Sequence, residues 1–124
     1  MGEDMKRHRV VRDGDRDLVF TGRLVGEGSH GTGGNSGYRK DWTRGTDVRV
    51  YLTDKGLVVT TVHQWSRWQG EGDLHRAAVH GTPADALDWL VADCGGELGP
   101  ASKEAWESAC ADAPELAGHD VEEV

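Results

Sequence analysis

The chain has 124 residues, a formal net charge of −8 and 36% apolar residues, which suits one domain that buries its own core. Its two cysteines, Cys94 and Cys110, are too few for a disulfide framework or a thiolate zinc cluster. Residues 1–17 interleave acids and bases without an apolar run, which excludes a secretory segment or a membrane span there and makes the cytoplasm the expected compartment. Ile is absent and Phe occurs once, so the core must come from Val, Leu, Ala and Trp.

Charge is uneven along the chain. Residues 1–16 carry five basic and four acidic side chains, residues 17–80 eight and seven, and residues 81–124 one and eleven. An acidic C-terminal third repels phosphate backbones, which argues against nucleic acid and favours a basic protein partner. The plainer alternative is a pair of solvated helices with an acidic tail over 117–124.

Residues 1–16 read as a charged, flexible leader or a short edge strand. From Asp17 to Gly26, Leu18, Phe20, Gly22 and Leu24 alternate with Val19, Thr21, Arg23 and Val25, the pattern of a first strand, with Gly22 as a candidate bulge. The glycine-rich stretch 28–41 lacks apolar periodicity and reads as a loop. It runs into Tyr38-Arg39-Lys40-Asp41-Trp42 rather than into a Lys-Ser/Thr helix start, so it does not satisfy a phosphate-loop pattern.

Thr46 to Thr53 places Val48, Val50 and Leu52 on one face and Asp47, Arg49 and Tyr51 on the other. Asp54-Lys55-Gly56 fits a three-residue hairpin connection closed by a left-handed glycine. A β-rich run from Leu57 to Trp65 follows, then a turn over Gln69–Asp73 and a last strand from Leu74 to His80. Thr82-Pro83-Ala84-Asp85 combines a capping hydroxyl, a first-turn proline and an acid, and so opens a helix. That helix, 83–94, ends at Cys94-Gly95-Gly96. A second, 101–113, stops at Pro114, with Ala105, Trp106, Ala109 and Cys110 inward; both cysteines fall on apolar helix faces.

Three sets of residues bear on chemistry. His63, His75 and His80 sit on neighbouring strands, yet no His-x-x-x-His or Cys-x-x-Cys spacing supplies a zinc site, so no metal and no cofactor is expected. Glu71, Asp73 and His75 bring three titratable groups into one turn, the basis of an alternative reading as a small enzyme. Trp65-Ser66-Arg67-Trp68, with Tyr51, Arg49 and Arg76, supplies aromatic planes and guanidinium groups suited to a protein contact or to stacking on single-stranded bases.

The residues Trp42-Thr43, Asp47-Val48-Arg49-Val50-Tyr51-Leu52-Thr53-Asp54-Lys55-Gly56 and Ser66-Arg67-Trp68-Gln69-Gly70-Glu71 resemble the EXLDI family of small uncharacterised bacterial proteins. Placed on Thr46–Val50, the name-giving motif keeps only its aliphatic positions. The resemblance implies a class and carries over no functional residue.

The sequence therefore predicts an α+β domain over 17–116: a four-stranded antiparallel meander whose inner row is Leu18, Phe20, Val48, Val50, Leu52, Val59 and Trp65, covered on one face by two C-terminal helices. The other face is expected to stay open. The function expected of it is that of a non-enzymatic protein-interaction or regulatory module, with Trp68, Arg49, Tyr51, Arg67, Glu71 and His75 as its binding residues; the alternatives are an enzyme of unknown class and a single-strand binder.

Overall fold

A computed structural model describes residues 5–32 and 42–119. Five strands run in chain order, β1 (Lys6–Val10), β2 (Leu18–Thr32), β3 (Arg44–Thr53), β4 (Val58–Ser66) and β5 (Leu74–His80), followed by α1 (Pro83–Asp93), α2 (Pro100–Asp112) and a 3₁₀ turn, Pro114–His119. Every neighbouring pair is antiparallel, so the sheet is a meander. The α+β class and the C-terminal helix pair agree with expectation. The strand count does not: Lys6–Val10, expected as a flexible leader or a short edge strand and left out of the four, pairs with Leu18–Gly22 as a fifth strand.

The hairpins form where their turn chemistry dictates. Thr53 N–H donates to the Leu57 carbonyl at 2.9 Å, and Gly56 closes the turn at φ +80°, a conformation that favours glycine. Thr82 caps α1 by accepting from the Asp85 N–H at 3.1 Å, Pro83 occupies the first helical turn, and Gly95 and Gly96 end the helix at φ +89° and +127°.

Val48, Val50, Val58 and Val62 face the helices and pack with Leu90, Ala105, Trp106, Ala109 and Leu116 in one buried cluster. Leu116, the last residue of the expected domain, is part of that core. The glycine-rich segment differs from the expected loop as far as Thr32, because Gly28–Thr32 continues β2 and pairs with Arg44–Val48; residues 33–41 of that expected loop lie outside the described residues. The glycines there serve proximity. A Cβ on Gly26 would meet the Ala105 carbonyl and the Ala109 side chain, and one on Gly28 the Ala101 carbonyl and the Ala105 N–H, so α2 lies with its backbone directly on β2.

The bulge sits at Val25, where the register shifts between Leu24 and Gly26, rather than at Gly22. Because strand side chains alternate faces, one extra residue inverts the parity of everything before it. Leu18 and Phe20 consequently face away from the helices, contrary to the expected inner row. Val59 and Trp65 also lie on that far face: Val58 is opposite Leu52, and a run with apolar residues at both parities does not reveal which one turns inward.

The far face is not open. The sheet curls so that His8 on β1 packs on Tyr51 of β3, ring centroids 4.9 Å apart, and Phe20 packs on the same ring at 5.2 Å. The turn after β1 reaches β5, where Asp13 N–H donates to the His75 carbonyl at 2.9 Å and His75 N–H donates to the Asp13 carboxylate at 2.8 Å. Val59, Tyr51 and Ala77 are buried inside this roll. On the helix side, Arg76 bridges Asp93 through two hydrogen bonds, 2.5 and 3.1 Å, and donates to Gln64 at 2.9 Å, which ties β5 to the end of α1. Cys94 is exposed rather than buried, and no disulfide joins it to Cys110.

Gly28→Ala should lower stability by about 1–3 kcal/mol through overpacking against α2, read as a lower urea midpoint at unchanged slope. Gly72→Ala, with nothing near its added carbon, should leave the midpoint in place. A second expectation concerns His80, which is buried and hydrogen-bonded to the Thr60 hydroxyl at 2.8 Å. Burial holds its pKa below 6.5, partly opposed by Asp85. A base with a depressed folded pKa contributes stability above its unfolded value and loses it on acidification. His80→Gln should therefore remove the part of acid sensitivity that begins just below pH 6.5 in thermal melts.

Candidate functional site

The roll face carries a polar row across the sheet. Ser29, Asp47, His63 and His75 stand opposite one another on β2, β3, β4 and β5. The Ser29 hydroxyl donates to Asp47 at 2.7 Å. The His63 and His75 rings stack with centroids 4.3 Å apart and planes 11° from parallel. Asp73, in the turn just before β5, meets His63 Nε2 with one carboxylate oxygen at 2.8 Å. That hydrogen bond holds the Asp73 carboxyl below its ordinary pKa of 3.8.

The next row contains Gly31, Gly45 and Trp65. Here the glycines make room for indoles: a Cβ on Gly31 would enter the Trp42 ring, and one on Gly45 the Trp65 ring. Arg67 lies over Trp65 at 5.6 Å from the ring centroid.

The β4–β5 turn is fixed from one end. Arg44 holds the Glu71 carboxylate through two hydrogen bonds, 3.0 and 2.6 Å, a two-point geometry specific to guanidinium and carboxylate. The Ser66 hydroxyl donates to the same carboxylate and accepts from the Trp68 N–H at 3.0 Å. Arg44 also lies 5.8 Å from the centre of the Trp68 ring. Trp68 is nevertheless 53% exposed, so the turn presents a large indole to solvent with a cation behind it. Beside it, His30, Thr46, Gln64, Leu74, Arg44 and Glu71 line a groove of about 300 Å³.

Of the nominated residues, Trp68 and Glu71 share the turn through Arg44 and Ser66, whereas Arg67 lies over Trp65 and the others lie elsewhere. Arg49 pairs with Glu27 at 2.9 Å on the roll face. Tyr51 is only 6% exposed, beneath His8 and Phe20, so it is a core aromatic and not a contact residue. His75 lies in the polar row. Arg44 is the residue that sequence reasoning missed, while Ser66, His63 and Asp73 stand in its candidate clusters but not among the expected binding residues. Their signal was register: counting back from the Asp54–Gly56 turn places Arg44 opposite Ser66, and counting across the next turn places His63 opposite His75.

Glu71 offers a sharp test. The Arg44 and Ser66 hydrogen bonds, the first larger, pull its pKa from 4.5 to about 2. A carboxyl with a depressed folded pKa stabilises its surroundings above the unfolded value and loses that contribution as pH falls through the folded one. The Trp68 indole resonance should hold its position above pH 4.5 and move as pH approaches 2; Glu71→Gln should place it at the shifted position at every pH. Scans against protein-family models, curated proteins and solved structures give no match to this chain.

Proposed function

We propose that the chain is a small non-enzymatic protein-interaction or regulatory module whose contact surface centres on Trp68 and the groove beside it. The observation that carries this is the exposed Trp68 on a turn held by Arg44, Ser66 and Glu71. An indole in water is unfavourable, and Trp and Arg are the residue types that most often anchor protein contacts. Holding the ring on a fixed turn reduces the ordering cost of binding. Membership of the EXLDI family is part of the same proposal and rests on the residues quoted from Trp42 to Glu71.

The charge of the helices supports a basic partner. Asp85, Asp88, Glu97, Glu104, Glu107 and Glu115 are exposed, against a single exposed lysine, Lys103, on the helices. Such a field accelerates encounter with a positive surface and weakens with salt. No helix among the described residues is long and apolar enough to cross a membrane.

The test is capture from native extract with the tagged full chain at low salt. A stoichiometric basic protein should be recovered, Trp68→Ala should weaken its binding by about 2 kcal/mol or more, and raising salt should slow association. Recovery of nucleic acid instead, or capture indifferent to Trp68→Ala, would overturn the proposal.

A further inference from the structure

We propose that His63, Asp73 and His75 form a site for a first-row divalent cation of the zinc class at the mouth of the roll. Each residue offers one donor atom, and the three lie within 4.8 Å of one another. Tetrahedral zinc with Zn–N bonds of about 2.0–2.1 Å requires donors about 3.3 Å apart, a further approach of at most about 1.5 Å.

The arrangement follows from the sheet. His75 on β5 is directly opposed to His63 of β4, and Asp73, in the turn just before β5, meets the His63 ring with its carboxylate. The near-parallel rings at 4.3 Å bring both imidazoles to one side. Between His63 Nε2 and Asp73 Oδ2, now 2.8 Å apart across a hydrogen bond, a cation would take the place of the shared proton. The backbone around His75 is held by its two hydrogen bonds to Asp13, and Asp47, opposite His63, adds a second carboxylate to the row.

The donor set chooses the metal. Two imidazoles and one carboxylate suit zinc and its first-row neighbours, whereas magnesium and calcium prefer oxygen ligands throughout. Three protein ligands leave coordination positions open, and all three residues are at least partly exposed, the Asp73 side chain at 43%. Such a site admits water or a donor from a bound partner.

The experiment uses the full chain after chelator treatment. Equilibrium dialysis with Zn²⁺ near neutral pH should give one ion per chain. Asp73→Asn and His75→Gln should each weaken binding at least about tenfold, with the fold checked by circular dichroism, while Asp54→Asn, in the β3–β4 turn, should leave it unchanged. As a readout that needs no variant, substoichiometric Cu²⁺ should broaden the imidazole resonances of His63 and His75 ahead of those of His8 and His80. No stoichiometric binding, affinity retained in both variants, or broadening centred on other histidines would each overturn the proposal.

Discussion

The backbone of α2 resting on the glycines of β2 is the contact on which the remaining architecture depends. Without side chains at Gly26 and Gly28, helix and strand approach to backbone distance, and Ala101, Ala105 and Ala109 on α2 keep the helix side equally small. That closeness leaves room for Trp106 and Leu90 to fill the space over β3 and β4, so a core poor in large aliphatics still closes. The bulge at Val25 makes the contact compatible with the rest of β2. Before it, Phe20 serves the roll; after it, Gly26 and Gly28 serve the helix.

Legibility in the sequence followed the locality of the signals. The cap at Thr82, the stop at Gly95-Gly96 and the turn at Gly56 each rest on a few adjacent residues, and each appears where the local chemistry puts it. The glycine run beginning at Gly28 misled because glycine signals both turns and close approach, and only the position of α2 separates them. The face of Val59 and Trp65 depended on a register set across a hairpin, and the face of Phe20 on a bulge several residues away. β1 was hidden by composition: Lys6-Arg7-His8-Arg9-Val10 has almost no apolar content, since as an edge strand it needs little beyond the backbone pairing and His8.

The candidate site was legible in part for the same reason. Trp68 and Glu71 are neighbours in sequence and remain so in space, whereas Arg44 reaches them, and His63 reaches His75, only through strand pairing. Tyr51 shows the reverse case. Alternation correctly placed it away from the helices, and the rolled β1 then buried it. The division between the Trp68 turn and the histidine row separates two chemistries, an aromatic anchor beside a polar groove and a cluster of nitrogen and oxygen donors, which share only the short segment from Ser66 to His75.

The Asp13–His75 closure joins residues separated by 62 positions in the chain. Contacts of that separation carry a large loop-closure cost and form after local hairpins have paid part of it. On the ribosome, β1 and β2 emerge first, yet their turn cannot dock until β5 has left the exit tunnel. For that interval the roll stays open along its β5 side. The charge density of Lys6, Arg7 and Arg9 then keeps an unfinished edge apart from its copies.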